Sequence, residues 1–444
     1  MDSFKKKVMI IGAGPAGLFA ALKLANESNF EISIFDKGQD LDGRLKKRNS
    51  VCGLGGAGLF SDGKLIFSPY IGNNLLEVIS EKELISLIQE VEKKFSHYSQ
   101  IYYQEDEKII EKRLELEKKA IQVGVKFLSS RLIHLGSDNL PFIIDKIKKD
   151  LESSGVNFYF EKLVEKIKDH KIYVDGQAFD FDYLILAPGR SGALWLEKIV
   201  KDLGIEYKYN PLDIGVRVET LAKVMEEVCQ IDYDPKFYIQ TPTYEDMIRT
   251  FCVSPYGQVV CEDHGDFVLV NGHSHRNSKT ENTNFAFLVK IRLTEPLENT
   301  NLYGETIAHE MTVVGGGKPI LQRFGDLKRG RRSTWSRLEK STVAPTLTEV
   351  TPGDISMAMP YRFVKNILEG LEILDKLIPG IGGDNTLLYA PEIKFHGLRV
   401  LANKFLETNL KNIFVAGDGA GLSRGIVGAA VSGLLAAEGI MRKK

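Results

Sequence analysis

The residues most able to do chemistry lie near the start of the chain. Residues 12–17 have the sequence Gly-Ala-Gly-Pro-Ala-Gly, which fits the pattern G-x-G-x-x-G. An apolar stretch at 8–11 precedes them and predicts a buried strand, and residues 15–25 predict a helix. In this context Gly12 permits a tight turn, Gly14 lets the backbone approach a pyrophosphate, and Gly17 allows close packing of helix on strand. The free N–H groups of the helix start would bind the phosphates.

A carboxylate stands where a dinucleotide site needs one. Asp36 ends the second predicted strand, at 32–35, and lies 24 residues after Gly12. An acid at this spacing binds a ribose hydroxyl in dinucleotide-binding folds. The combination predicts a βαβ unit that holds a dinucleotide, against the alternative of a glycine-rich turn without a ligand. It does not separate NAD from FAD.

A second signal comes about 400 residues later. An apolar strand predicted at 413–416 ends in Gly417-Asp418, and a helical stretch follows from Gly425 and Ile426. This pattern resembles the C-terminal Gly-Asp motif of the flavoprotein superfamily that includes glutathione reductase and p-hydroxybenzoate hydroxylase. The resemblance implies that Asp418 binds the ribityl chain of FAD and that the following helix points its N-terminus at the flavin pyrimidine ring. The alternative is that Gly417-Asp418 only caps a helix.

A closer resemblance covers most of the chain. Residues 53–65, with the sequence Gly-Leu-Gly-Gly-Ala-Gly-Leu-Phe-Ser-Asp-Gly-Lys-Leu, are similar to a segment of a bacterial and archaeal group of FAD-dependent dehydrogenases, or NAD(P)/FAD-dependent oxidoreductases. Residues 134–141, 214–219 and 322–323 also resemble that group. The group belongs to the same superfamily of proteins with two dinucleotide-binding domains, and its substrates are largely unassigned. The resemblance implies non-covalently bound FAD and leaves the substrate open.

The predicted cofactor contacts come from several parts of the chain. Another predicted strand, at 183–187, runs into the segment Ala-Pro-Gly at 187–189, which would let the backbone pass close to FAD. The residues that we expect to bind the cofactor are Gly12, Gly14, Pro15, Ala16, Gly17, Asp36, Lys37, Arg44, Gly56, Ala57, Gly58, Ala187, Gly189, Gly417, Asp418, Gly425 and Ile426.

Candidates for catalysis and substrate binding lie in the middle of the chain. His273 and His275 are two residues apart after a predicted strand, so they would share one face, and imidazole suits proton transfer beside a hydride step. A basic run at 328–337 contains Arg331 and Arg332, and Arg323 lies nearby. Guanidinium groups suit a carboxylate or phosphate on a substrate. The alternatives are structural histidines and a solvated basic loop.

Composition excludes several other classes of protein. The formal net charge is −1, so no global field would attract nucleic acid or an anionic membrane. The four cysteines form no C-x-x-C pair, which argues against a disulfide framework, a cysteine-rich zinc site or a disulfide reductase. The basic-then-apolar N-terminus is broken by Gly12, Gly14 and Pro15, and the apolar stretch 426–441 is short for a membrane span. We therefore expect a soluble, cytoplasmic protein with no metal, and its oligomeric state stays open.

The pattern of elements predicts an α/β fold. We expect a discontinuous Rossmann-type FAD domain at 1–73, 130–205 and 340–444, a helical insertion at 74–129, and a mostly antiparallel β substrate domain at 206–339. Asp175-Gly176 predicts a hairpin turn. After residue 356 we expect helices and one strong strand, at 413–416.

These observations predict an FAD-dependent oxidoreductase that transfers a hydride between flavin N5 and a small molecule, which the basic run suggests is anionic. No second G-x-G-x-x-G occurs, so a dedicated NAD(P)H domain is not expected, although NAD(P)H remains a candidate transient reductant. The rival hypothesis is a non-catalytic flavin-binding redox sensor or assembly module. Turnover would separate the two.

Overall fold

The computed structural model describes residues 5–46, 52–60, 63–99, 106–129, 131–135, 139–273, 279–294, 298–395 and 398–443. In chain order its strands are β1 Lys6–Ile11, β2 Phe30–Phe35, β3 Lys64–Phe67, β4 Val125–Leu128, β5 Arg131–His134, β6 Asn157–Tyr159, β7 Val164–Lys168, β8 Lys171–Val174, β9 Gln177–Asp180, β10 Tyr183–Leu186, β11 Tyr207–Lys208, β12 Leu212–Leu221, β13 Lys236–Gln240, β14 Met247–Ser254, β15 Gln258–Asp263, β16 Val268–His273, β17 Asn282–Ile291, β18 Ile320–Arg323, β19 Thr351–Pro352, β20 Leu387–Lys394, β21 Arg399–Val400 and β22 Ile413–Val415.

The α-helices are α1 Pro15–Leu24, α2 Leu41–Lys46, α3 Glu81–Tyr98, α4 Glu107–Gln122, α5 Leu140–Ser153, α6 Ala193–Leu203, α7 Ala222–Ile231, α8 Thr300–Val314, α9 Phe324–Lys328, α10 Trp335–Leu338, α11 Tyr361–Leu377 and α12 Ile426–Met441. No helix among the described residues combines the length and the apolar character needed to cross a bilayer.

The chain forms two compact units. The first comprises Met1–Tyr103, Ser130–Asn210 and Gly397–Lys444, and the second comprises Gln104–Ser129 and Pro211–His396. The predicted α/β class is confirmed, because the first unit contains a parallel sheet and the second a mixed, mostly antiparallel one.

The first unit is built on a five-stranded sheet in the order β22-β10-β1-β2-β6. All neighbouring strands in it are parallel. Their side chains are apolar on both faces, as expected for a sheet covered on both sides. The sheet therefore joins strands from near both ends of the chain in one hydrophobic core.

Helices α1 and α12 pack closely in this unit. A Cβ atom added to Gly433 on α12 would lie 2.0 Å from the carbonyl oxygen of Ala16 on α1. Only glycine permits this approach of the two helix backbones. The apolar stretch 426–441 is therefore a buried helix of this core, with the bounds that its sequence predicted.

A small antiparallel meander of strands β7, β8 and β9 lies between β6 and β10 along the chain. Asp175 and Gly176 join β8 to β9, and both have positive φ, of 49° and 74°. This is the backbone conformation of a type I′ turn. The predicted hairpin turn is confirmed.

The second unit is built on an eight-stranded sheet in the order β19-β18-β20-β12-β17-β14-β13-β4. The side chains of strand β12 alternate between the two faces of this sheet. Ile214, Val216 and Val218 join a core with the helices, whereas Asp213, Arg217 and Glu219 point to the other face, because successive side chains of a strand alternate.

The predicted domain boundary near 340 is wrong. Residues 340–396 belong to the second unit, because β20 lies in the middle of its sheet, paired with β12 and β18. The prediction of helices after 356 missed this strand. Pro391 interrupts it, and proline argues against a central strand unless a bulge accommodates it. The pairing of β20 with β12 has such an irregularity, a register shift between Gly215 and Arg217 of β12.

The predicted insertion at 74–129 is not one body. Helix α3 belongs to the first unit, where it packs against α12, whereas α4 and β4 belong to the second unit. Both helices have the expected amphipathic pattern. Their periodicity shows that each buries one face, but it carries no information about the core that receives it.

Candidate functional site

The glycine-rich motifs of the first unit meet at one edge of its parallel sheet. Ile11 at the end of β1 is in register with Leu186 of β10, which is in register with Val415 of β22. The loops that follow these strands are therefore neighbours. The chain leaves β1 toward β2 on one side, while β10 and β22 lie on the other. Ligands of open α/β sheets bind at such a switch point.

The three glycines of residues 12–17 have different surroundings. A Cβ on Gly12 would lie 2.1 Å from the carbonyl oxygen of Ala187, and one on Gly17 would lie 2.0 Å from that of Gly12. A Cβ on Gly14 would meet nothing closer than the Cα of Gly56, at 3.8 Å. Gly12 and Gly17 are thus required by the protein's own packing, while Gly14 borders open space.

Two helices begin beside each other in this region. Helices α1 and α12 have N-caps Gly14 and Gly425, no side-chain cap and no acidic residue in the first turn. A Cβ on Gly58 would lie 3.3 Å from Ile426 and 3.8 Å from Pro15, so the second glycine-rich loop lies between the two helix starts. The free N–H groups of both helices are left for a ligand, and both helix dipoles favour negative charge there.

The loops after β10 and β22 add a charged pair. Arg190 donates from Nε to Oδ2 of Asp418 at 3.1 Å, and its Nη2 lies 3.0 Å from the same oxygen. Gly189 has φ 65° and open space around it, a conformation that favours glycine. Sequence analysis missed Arg190, although it directly follows the Ala-Pro-Gly segment.

Burial separates the predicted cofactor residues into two groups. Those with solvent-accessible surface are Gly14, Pro15, Lys37, Gly56, Ala57, Gly58, Gly189, Asp418, Gly425 and Ile426. Those that are buried are Gly12, Ala16, Gly17, Asp36, Arg44, Ala187 and Gly417. The residues of the first group are accessible and could touch a ligand directly.

Three charged members of the predicted set bind the protein's own backbone. Asp36 accepts from N–H groups of both glycine-rich loops, Arg44 donates to Leu54 and Gly56 carbonyls, and Lys37 donates to the carbonyl of Ser191 at 2.9 Å. Burial lowers the pKa of the Arg44 guanidinium, an effect that the charge of Asp36 opposes. Their direct contact with a cofactor stays a prediction.

This arrangement fits FAD in its chemistry. Gly14 leaves room where a pyrophosphate would approach α1, and the start of α12 supplies a second site for negative charge. Asp418 is partly exposed and offers an acceptor for hydroxyl groups.

Comparison with known proteins agrees with this geometry. Residues 10–80 match the model of the NAD(P)-binding Rossmann-like domain, and residues 211–394 match that of the FAD-dependent protein, C-terminal domain-like. These matches indicate an FAD-dependent protein with a Rossmann-like nucleotide-binding region.

Individual relatives of the chain are distant. It is 27% identical to an uncharacterised protein of Clostridium beijerinckii, over all of this chain and 82% of the relative. It is 24% identical to an L-aspartate oxidase of Pyrococcus furiosus, over 54% of this chain and 47% of that enzyme. Among solved structures, a glycine oxidase from Bacillus cereus matches with a TM-score of 0.40 and 11% identity, covering 99% of this chain and 96% of the other.

The acid of the C-terminal motif offers a first test of cofactor binding. We expect Asp418→Ala to weaken FAD binding by about 1–3 kcal/mol, the cost of losing one charge-assisted hydrogen bond. Titration of the apoprotein with FAD, followed by flavin fluorescence, measures the loss. Asp202→Ala, which removes an exposed carboxylate from α6, is the control. Unchanged affinity in Asp418→Ala would restrict Asp418 to pairing with Arg190.

Two of the three predicted arginines of the second unit, Arg323 and Arg331, lie around one buried carboxylate. Asp326 is 1% exposed and accepts from Arg331 Nε and Ser333 Oγ, both at 2.8 Å. Arg323 and Arg337 approach the same carboxylate at 3.9 and 4.0 Å. We call Asp326, the three arginines near it (Arg323, Arg331 and Arg337) and Arg332, which follows Arg331 in the sequence, the arginine cluster.

Charge holds most of the arginine cluster together, but not Arg332. Burial would raise the pKa of the Asp326 carboxyl, but the hydrogen bonds from Arg331 and Ser333 and the charge of Arg323 lower it below its ordinary value. Arg323 also donates to Asn385 Oδ1 at 2.7 Å. Arg332 is exposed, and among the described residues its guanidinium has no hydrogen-bond or ion-pair partner.

The two predicted histidines are not both described. His273 is exposed at the end of β16, opposite Gln258 of β15. His275 lies outside the described residues. Their joint role in proton transfer therefore stays a prediction.

Sequence analysis missed a buried polar layer on strand β12 of the second unit. Arg217 and Glu392, both 0% exposed, are paired at 3.3 Å, and Arg217 also donates to Asn284 Oδ1 at 2.8 Å. Within the described part of the chain, Glu392 Oε2 and Asn284 Nδ2 have no hydrogen-bond partner. The alternation of Asp213, Arg217 and Glu219 with apolar residues was a usable signal.

Glu219 forms a second pair in the same layer. Tyr389 donates its hydroxyl to Glu219 at 2.5 Å, and the hydroxyl of Thr346 does so at the same distance. Burial raises the pKa of the Glu219 carboxyl despite these hydrogen bonds. Burial and the charge of Glu219 raise the pKa of the Tyr389 phenol as well. The layer thus forms a buried hydrogen-bonded network on the polar face of the sheet.

Proposed function

We propose that the protein is an oxidoreductase that transfers a hydride between N5 of non-covalently bound FAD and a small anionic molecule. The observation that carries this proposal is the pair of uncapped helix starts, Gly14 and Gly425, with Gly58 between them and open space at Gly14. When bound, FAD supplies the group that takes up or releases the hydride.

The protein's own part is binding and electrostatics. The N–H groups at the start of α1 would hold the pyrophosphate, where Gly14 leaves the room for it. Asp418 would accept from the ribityl chain, and Arg190, which pairs with it, would offset the negative charge of the ligand. The start of α12 at Gly425 would stabilise negative charge on the pyrimidine part of the flavin.

Within the arginine cluster we assign substrate recognition to Arg332. Arg323 and Arg331 already bind Asn385 and Asp326, so a substrate would have to compete with these partners for them. Arg332 remains exposed without a partner in the described part of the chain. Guanidinium binds carboxylate or phosphate through two hydrogen bonds. His273 and His275 remain our candidates for the accompanying proton transfer.

The experiment is to purify the protein, identify the released cofactor, and screen donors without oxygen. We expect a yellow protein that releases intact FAD on denaturation. Bleaching of the flavin by an organic acid or phosphate ester supports the proposal, and bleaching by NADH or NADPH identifies the nicotinamide as reductant. A colourless protein that takes up no FAD on reconstitution would disprove it, and FAD inert to every donor would favour a redox sensor.

The charge of the substrate is tested separately. We expect Arg332→Ala to raise KM for the anionic substrate about tenfold with FAD affinity unchanged, because one ion pair made in the ground state is lost. Added salt should have a similar effect. Arg292→Ala, which removes an exposed arginine outside the cluster, is the matched control. An unchanged KM would mean that Arg332 is a solvated surface residue.

A further inference from the structure

The Asp36 carboxylate links three separate segments of backbone. Its Oδ2 accepts from Ala13 N–H at 2.8 Å, and its Oδ1 accepts from Gly38 and Gly53 N–H, each at 2.8 Å. Ala13 belongs to the first glycine-rich loop, Gly38 to the exit from β2, and Gly53 to the second glycine-rich loop. Asp36 itself is 8% exposed.

This bonding leaves little of the carboxylate for a ligand. A carboxylate has about four lone-pair positions, and three of them are used here. The short aspartate side chain keeps its oxygens at the level of the backbone. Gly38 and Gly53 are so close that a Cβ on Gly38 would lie 2.3 Å from the Gly53 nitrogen. The carboxylate is enclosed by the segments that it joins.

Arg44 secures the second loop. Its guanidinium, with no exposed surface, donates from Nη1 to the carbonyls of Leu54 at 2.5 Å and Gly56 at 2.8 Å. A direct backbone bond joins the two loops as well, from Gly55 N–H to the Ala13 carbonyl at 2.8 Å. Asp36 and Arg44 thus fix the same loop, Asp36 at Gly53 and Arg44 at Leu54 and Gly56.

We propose that Asp36 and Arg44 are positioning residues that hold the two glycine-rich loops in register for FAD, and that Asp36 is not a ribose ligand. The inference rests on the proposed FAD site. It replaces the ribose contact, which the sequence spacing predicted, by a purely internal role. Any hydrogen bond to the adenosine ribose must then come from another group.

A binding cycle distinguishes the two roles of Asp36. The apoprotein is titrated with FAD and with FAD analogues that lack the 2′- or the 3′-hydroxyl of the adenosine ribose. We expect Asp36→Ala to weaken binding of FAD about tenfold or more, because three buried N–H groups lose a charged acceptor. Removing either hydroxyl should then change the affinity by the same factor in the wild type and in Asp36→Ala.

The opposite result would overturn the inference. If Asp36 binds the ribose, loss of a hydroxyl weakens binding to the wild type but not to Asp36→Ala. A wild-type protein that binds no FAD refutes the proposed function instead. If Asp36→Ala does not fold, Asp36→Asn serves in the same cycle, because its amide oxygen can still accept from Gly38 and Gly53.

Hydrogen exchange gives a readout that does not involve the cofactor. In the apoprotein we expect the amides of residues 52–60 to exchange faster in Asp36→Ala, with protection largely restored in Asp36→Asn. Asp42→Ala, which removes an exposed carboxylate from α2, should leave that segment protected. Equal protection of residues 52–60 in Asp36→Ala and the wild type would contradict a positioning role.

Discussion

Gly14→Val should abolish FAD binding while the protein stays folded. A Cβ at this position has no protein atom closer than 3.8 Å, and the residue has φ −80°, which any amino acid adopts. The valine therefore fits the apoprotein, but it fills the space that the pyrophosphate needs at the start of α1. We expect a loss of affinity of at least about 1000-fold, equivalent to several charge-assisted hydrogen bonds. Fluorescence titration with FAD measures the affinity, and circular dichroism checks the fold.

Gly17→Val is the matched contrast. Its Cβ would lie 2.0 Å from the Gly12 carbonyl oxygen, so we expect this variant to lose stability rather than cofactor alone. If Gly14→Val binds FAD as the wild type does, the ligand lies elsewhere. If both variants unfold equally, the distinction between the two glycines is wrong.

Arg217→Met should destabilise the second unit by about 3–5 kcal/mol, because it leaves the carboxylate of Glu392 buried with one partner fewer. Glu392 has no exposed surface, and Lys394, at 2.9 Å, would compensate only in part. The free energy of unfolding from urea denaturation, measured on the apoprotein, gives the size of the effect.

A second substitution tests the cause of this loss. Adding Glu392→Gln to Arg217→Met removes the buried charge that Lys394 compensates only in part, so the double variant should be more stable than Arg217→Met alone. Arg292→Met, at an exposed position, should stay within about 0.5 kcal/mol of the wild type. Full stability in Arg217→Met would show that the buried pair contributes nothing to the fold.

The sequence predicted the local features of the fold well. The turn at Asp175-Gly176 and helix α12 depend on residues that are close in sequence, and both were predicted where they occur. Strand β20 was missed because Pro391 masks it. The assignment of residues 340–396 was wrong because no local pattern tells which of two sheets a strand will join.

The same limit applies to the candidate site. The spacing of Gly12, Gly14 and Gly17 indicated where a dinucleotide would approach, because the residues of this motif follow one another in the sequence. The partners of Asp36, Arg331 and Asp418 could not be predicted, because they lie on segments brought together only by the fold. A charged residue at a motif position can serve the ligand or the protein's own backbone, and spacing does not distinguish the two.

The position of β22 and α12 has a consequence for biosynthesis. Strand β22 completes the edge of the parallel sheet beside β10, and Gly433 brings α12 against α1. On the ribosome these elements emerge after all of the second unit has been made. A nascent chain thus exposes the unpaired edge of β10 and the apolar flank of α1 until β22 and α12 have been made. We expect cofactor loading to follow the synthesis of these two elements, and chaperones to be needed most before it.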